Sequence, residues 1–141
     1  MILDMTACPD MGKGSSVIVV IEDEAVVLAG YQMLFESWDY QVVAAQTVEE
    51  ALEMLQAESL IPGFILADFR LGNGHTGLEA IERIRQAYGR KIPGVVVTGD
   101  TTVTVTGLRQ AVESGMPVLH KPVHTPHLQE LLARSMGQAP R

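Results

Sequence analysis

The sequence is poor in several features, and each absence excludes a class of protein. Cys8 is the one cysteine in 141 residues, so no disulfide framework can form and a reducing compartment is expected. The 10 basic residues are outnumbered by 17 acidic ones, and the net charge of −7 argues against a duplex nucleic-acid surface. No apolar run approaches the roughly 18 residues of a membrane span, and residues 1–16 lack the pattern of a signal peptide. We therefore predict a cytoplasmic domain that contacts neither membrane nor nucleic acid.

The length and composition fit one globular domain. Apolar residues make up 47% of the chain, enough to build a single core. Residues 1–16 mix Asp, Pro, Gly, Ser and Met without a period, which is typical of a flexible tail or linker. The last five residues, 137–141, read as a C-terminal tail. The predicted domain therefore covers residues 17–136.

Four short apolar runs each end in a polar residue suited to phosphate or Mg²⁺. The polar residues that close these runs are Glu22 with Asp23, Asp68, Thr98 and Lys121. Short β-branched runs separated by helical stretches are typical of parallel strands buried on both faces. In open α/β sheets the ligand crevice lies beyond the carboxyl ends of the strands. We therefore expect these side chains to converge.

The pattern of apolar residues predicts a doubly wound α/β fold. Strands are expected at residues 17–21, 41–45, 64–67, 95–97 and 118–120, each followed by a helix. The second helix has capping-box spacing, with Glu50 expected to reach back to the amide of Thr47. The helix after the fourth strand is expected to start late or fray, because residues 101–106 are four threonines and two valines. Right-handed crossovers then give a flavodoxin-like parallel sheet of order 2-1-3-4-5, with helices on both faces.

The residues at the strand ends favour phosphoryl chemistry with a divalent cation. Glu22, Asp23 and Asp68 would repel one another, and a hard cation such as Mg²⁺ relieves that repulsion in a shallow carboxylate site. A carboxylate beside Mg²⁺ can attack phosphorus and form an acyl phosphate. Lys121 and Thr98 are placed to neutralise and hydrogen-bond the phosphoryl oxygens.

The chain resembles the receiver domain of two-component response regulators over residues 17–136. The resemblance is carried by four phrases: Val-Ile-Glu-Asp-Glu, Leu-Ala-Asp-Phe-Arg-Leu, Val-Val-Thr-Gly-Asp and Leu-His-Lys-Pro-Val. Within the family, the phrases Asp-Phe-Arg-Leu, Thr-Gly-Leu-Glu-Ala-Ile and Val-Thr-Gly-Asp-Thr look most like those of receivers attached to hybrid sensor histidine kinases. The hydroxyl and the lysine with which the family binds the phosphoryl group correspond to Thr98 and Lys121.

The resemblance also implies roles for the remaining site residues. Asp68 would be the phosphoacceptor, Asp23 a direct Mg²⁺ ligand, Glu22 a ligand acting through water, and the backbone carbonyl of Arg70 the third protein contact to the metal. The implied partner is a histidine kinase or a phosphotransfer domain that carries phosphohistidine. Homodimerisation is left open.

Alternatives to this interpretation differ in what the domain does with phosphate. Many receivers carry an aromatic residue three positions before the lysine, where this chain has Val118, so a receiver-like interaction module that works without phosphorylation is one alternative. An Asp-nucleophile phosphatase is another, although such enzymes usually have a second acid where this chain has Arg70. The chain itself is expected to be a stand-alone receiver, a phosphorelay intermediate or a domain of a hybrid kinase.

Overall fold

The computed structural model describes residues 17–72, 74–99, 115–121 and 123–136. The predicted tails, residues 1–16 and 137–141, and the predicted helix within residues 100–114 lie outside the described residues. The elements in chain order are β1 (Val17–Ile21), α1 (Ala25–Ser37), β2 (Gln41–Ala45), α2 (Val48–Ala57), β3 (Phe64–Asp68), α3 (Gly77–Tyr88), β4 (Gly94–Thr98), β5 (Val118–His120) and α4 (Thr125–Met136).

The five strands form one parallel sheet, as predicted. Its order is β2-β1-β3-β4-β5, which places β1 and β3 side by side at the point where the strand order reverses. In this register Ile21 pairs with Ala67, so both strands reach the same edge of the sheet. Side chains that follow Ile21 and Ala67 must therefore be neighbours.

Alternate residues of β1 enter different cores, because successive side chains of a strand point to opposite faces. Val17, Val19 and Ile21 belong to the core that is covered by α2 and α3. Ile18 and Val20 belong to the core covered by α1 and α4. All five residues of β1 are buried, which explains why its sequence is continuously apolar instead of alternating.

Threonine caps start α2 and α3. The Oγ1 of Thr47 accepts a hydrogen bond from the amide of Glu50, and Thr76 forms a complete capping box with Glu79. One detail of the prediction for α2 is wrong: the carboxylate of Glu50 accepts from the backbone N–H of Gln46, at 2.8 Å, and not from that of Thr47. The helix therefore fixes the residue that precedes its N-cap.

No helix in the described part of the chain is long and apolar enough to cross a bilayer.

Candidate functional site

Three carboxylates meet at the carboxyl ends of β1 and β3. Glu22 and Asp23 directly follow β1, and Asp68 is the last residue of β3. Each of the three offers an oxygen, and these oxygens all lie within 4.8 Å of one another. The Glu22 side chain is 2% exposed and that of Asp68 14%, so two of the three carboxylates have lost most of their contact with water. The structure thus brings together the acids that the sequence predicted to converge.

Lys121 reaches this cluster from the end of β5. Its Nζ lies 3.0 Å from Oδ1 of Asp68 and 3.5 Å from Oε1 of Glu22. Its backbone N–H donates to the carbonyl of Thr98 at 2.8 Å, which continues the pairing of β4 and β5 by one step. The lysine is therefore held by the sheet at its backbone and by two carboxylates at its ammonium group.

Thr98 and Arg70 stand beside Asp68. Thr98 ends β4 and is 2% exposed. Arg70 is exposed and its segment is fixed by a bridge to Thr76. A cavity of about 320 Å³ opens here, lined by Asp68, Phe69, Arg70, Thr98, Gly99 and Lys121. The space above Asp68 is large enough for a small anionic group.

Burial and the ion pair with Lys121 have opposing effects on the pKa values of the titrating groups in the site. Burial raises the pKa of the Asp68 carboxyl, and Lys121 opposes that rise. Burial also raises the pKa of the Glu22 carboxyl, although a hydrogen bond from the amide of Glu24 at 3.2 Å favours its ionised form. For Lys121, burial acts to lower the pKa, but contact with Asp68 and Glu22 outweighs it and the pKa is raised. The three acids are thus only partly neutralised by one ammonium group.

The donor set fits a hard divalent cation. Carboxylate oxygens are the protein ligands that Mg²⁺ prefers, and it commonly uses one or two of them together with waters. Glu22, Asp23 and Asp68 supply such oxygens within one small volume, and the charge that Lys121 leaves uncompensated is of the sign that a cation would offset. Among the residues that the structure describes, no other group of three such side chains converges in this way.

Tyr31 lies within electrostatic range of the site, which sequence reasoning missed because its spacing placed it simply on the buried face of α1. Burial raises its pKa, Lys121 opposes that rise, and Glu22 and Asp68 add to it. Its ring stacks on Phe35, with centroids 6.1 Å apart and planes 14° apart. The signal in the sequence was that α1 begins directly after Glu22 and Asp23, so its first turns must lie close to the cluster.

Gly77 supports Asp68 from the start of α3. Its N–H donates to the carbonyl of Phe69 at 3.0 Å, so the helix begins against the end of β3. A Cβ at this position would overlap the backbone carbonyl of Asp68. Only glycine allows α3 to approach the strand this closely.

The fold and the site together define a class. The model of the response regulator receiver domain family matches residues 18–133, and the chain belongs to that family. Phyllosphere-induced regulator PhyR of Methylorubrum extorquens is 32% identical over 93 residues, which are 65% of this chain and 34% of PhyR. The chain thus spans about a third of the length of that curated relative.

Solved structures agree on the fold. The CheY-like receiver domain protein of Methanospirillum hungatei is 21% identical, with a TM-score of 0.71 over 86% of this chain and 93% of that one. A response regulator of Burkholderia pseudomallei, solved with a phosphorylated aspartic acid, calcium ion and citrate, is 28% identical, with a TM-score of 0.64 over 83% of this chain and 64% of that one. The five-stranded flavodoxin-like sheet predicted from the sequence is therefore confirmed.

Proposed function

We propose that this receiver domain accepts a phosphoryl group from phosphohistidine onto Asp68. The observation that carries the proposal is the placement of Asp68: its Oδ1 lies 3.0 Å from Lys121 Nζ, among oxygens of Glu22 and Asp23, beneath a cavity of about 320 Å³. A relative 28% identical to this chain was solved with a phosphorylated aspartic acid and a calcium ion, which supports the same chemistry here.

The reaction requires Asp68 to act as a nucleophile. A carboxylate oxygen of Asp68 attacks phosphorus, a new O–P bond forms, the N–P bond of phosphohistidine breaks, and the imidazole leaves with the electron pair. Lys121 holds the attacked group in place by neutralising phosphoryl oxygens, and the hydroxyl of Thr98 hydrogen-bonds them. Contact with Asp68 and Glu22 raises the pKa of Lys121, which favours its charged ammonium form.

Mg²⁺ is the cofactor that fits the carboxylates. Asp23, Asp68 and the backbone carbonyl of Arg70 would hold it directly, and Glu22 would act through water. When bound, the ion neutralises the charge that develops on the phosphoryl oxygens.

The partner would dock on the exposed face of α1. Val26 is 85% exposed and Met33 71%, and these residues lie two turns apart on one side of the helix. Gly30 lies between them, and a Cβ there would meet nothing. This uncharged face adjoins the loop of Glu22 and Asp23, and we assign it to a histidine kinase or phosphotransfer domain in the cytoplasm. Residues 17–136 would form the working unit.

Intact-protein mass spectrometry after incubation with acetyl phosphate and Mg²⁺ tests the proposal. We expect a single phosphoryl addition to the wild type that requires Mg²⁺ and is lost in Asp68→Asn. Asp39→Asn is the matched control, because Asp39 is an exposed turn residue and asparagine tolerates its positive φ of 69°. No addition to the folded wild type would overturn the proposal and favour a module that works without phosphate.

A further inference from the structure

The loop that carries Glu22 and Asp23 is not fixed by a side-chain cap on the helix it precedes. Glu24 occupies the N-cap of α1 but makes no side-chain capping bond, and the first turn of α1 contains no acidic residue. By contrast, Thr47 and Thr76 cap α2 and α3. A helix N-terminus without a cap leaves backbone donors unsatisfied and its entry loop less constrained. Within this loop, the N–H of Glu24 donates to Oε2 of Glu22 at 3.2 Å, a bond that holds Glu22 and leaves the backbone carbonyl of Asp23 open to a further contact.

Gln46 supplies that contact from a neighbouring loop. Its side-chain Nε2 donates a hydrogen bond to the backbone carbonyl of Asp23 at 2.9 Å, across 23 residues of sequence. The two loops already run together, because the N–H of Glu22 donates to the carbonyl of Ala45 at 3.1 Å. Gln46 thus adds a second hydrogen bond between the two loops, one residue further along each of them.

Gln46 is itself held in position by the first turn of α2. Its backbone N–H donates to Oε1 of Glu50 at 2.8 Å, and the N–H of Glu50 donates to Oγ1 of Thr47 at 3.1 Å. The contact with Asp23 therefore starts from a residue whose backbone is anchored. A chain of three hydrogen bonds links the start of α2 to the loop of the metal-binding acids.

We infer that Gln46 is a positioning residue for the divalent-cation site, which holds the backbone of Asp23 so that its carboxylate stays beside those of Glu22 and Asp68. The inference rests on the proposed Mg²⁺ site. The side chain must donate to a carbonyl, so methionine, which has a similar length but no donor, should fail. Asparagine keeps the amide but is one methylene shorter, so it should restore the contact only in part.

Mg²⁺ binding without any phosphoryl donor tests the inference directly. Isothermal titration of MgCl₂ into Gln46→Met should give a Kd about three- to tenfold higher than the wild type, the size expected from the loss of one hydrogen bond. Gln46→Asn should fall between the two. Gln32→Met is the matched control, because the amide of Gln32 donates to Glu36 within α1, at 3.3 Å, and the Kd of this variant should equal that of the wild type.

Two further readouts separate positioning from general destabilisation. The urea midpoint of Mg²⁺-free Gln46→Met should stay close to that of Gln32→Met, and saturating Mg²⁺ should restore labelling by acetyl phosphate to the wild-type extent. Equal Kd values for the wild type and Gln46→Met, with Asp68 labelled normally, would overturn the inference alone. A wild type that binds no Mg²⁺ would overturn the metal part of the proposed function and the inference with it.

Discussion

The ammonium group of Lys121 lies 3.0 Å from the carboxylate of Asp68, so the lysine and a bound metal ion would compete for the same carboxylate. Lys121 also lies 3.5 Å from Glu22, so it touches two of the three clustered acids. Because the folded structure raises the pKa of Lys121, the ion pair adds stability below the ordinary lysine pKa of about 10.4, and that stability is lost as pH rises above it. At neutral pH the ammonium group therefore neutralises part of the carboxylate charge that a metal ion would otherwise neutralise.

Replacing Lys121 should separate metal binding from phosphoryl transfer. We expect Lys121→Met to bind Mg²⁺ several-fold more tightly, because a competing positive charge has left Asp68 and Glu22. Phosphorylation by acetyl phosphate should nevertheless slow by at least about tenfold, since under the proposed function Lys121 contacts the charge that develops on the phosphoryl group. Titration calorimetry and mass spectrometry measure the two effects, and Lys91→Met, at an exposed position, should change neither. Weaker Mg²⁺ binding by Lys121→Met would contradict the competition.

The metal-free protein should become more stable as pH falls toward the carboxyl range. Burial raises the pKa of Asp68 and of Glu22, so the folded state binds more protons than the unfolded chain between the ordinary value of about 4 and the raised values. Stability therefore falls as pH rises through that window. The carboxyl of Glu49 has the opposite effect on stability, and at lower pH. The hydrogen bond with Arg83 lowers its pKa, so the stability that this carboxylate contributes is lost only as pH falls through the lowered value.

Urea unfolding in EDTA at a series of pH values checks this prediction. Asp68→Asn should be more stable than the wild type at neutral pH and should lose part of the pH dependence above the ordinary carboxyl range. Saturating Mg²⁺ should oppose the effect, because the cation binds the ionised carboxylates. Identical pH dependence in the wild type and Asp68→Asn would show that the buried charge of Asp68 carries no cost.

The polar residues at the strand ends were predictable because they depend on the pattern of apolar residues directly before them in the sequence. A run such as Val17–Ile21 is apolar throughout only when both faces of the sheet are covered, and the polar residue that follows it must stand at the sheet edge. Parallel pairing then aligns Ile21 with Ala67 and brings Glu22, Asp23 and Asp68 together. Knowledge of strand order was enough to assemble the acids of the site.

The supporting contacts were not predictable because they depend on how loops meet. The pattern Thr47 to Glu50 predicted a reciprocal bond to Thr47, whereas the carboxylate of Glu50 accepts from Gln46 instead. The hydrogen bond from Gln46 to Asp23 joins the loops that follow β2 and β1, and the relative position of these loops is set only by the folded sheet. Tyr31 likewise looked like one more core residue, and only the folded position of α1 brings it within electrostatic range of Lys121.

Two helical glycines should respond to alanine in opposite directions. Gly77→Ala should destabilise the protein by about 1–3 kcal/mol, because its Cβ would overlap the carbonyl of Asp68 and either α3 or the strand end must shift. Gly30→Ala should stabilise it by about 0.5–1 kcal/mol, since a Cβ at this position in α1 meets nothing and alanine loses less conformational entropy on folding. Urea unfolding of both variants measures the difference. A stabilising Gly77→Ala would show that α3 leaves enough space beside the carbonyl of Asp68 for a Cβ.

The exposed face of α1 should matter for a protein donor and not for a small one. Val26→Asp removes an apolar side chain that is 85% exposed, and an acid in the first turn of α1 suits the helix dipole, so the variant should fold. If a partner docks there, transfer from the histidine kinase that labels the wild type fastest should slow by about tenfold, the effect of losing one central interface residue. Labelling by acetyl phosphate should be unchanged, because it requires no docking. Ile61→Asp is the control: Ile61 is also exposed and apolar, at 41%, but lies between α2 and β3. Equal slowing in both variants would remove the assignment of this face, whereas slowing in Val26→Asp alone would place the partner against α1.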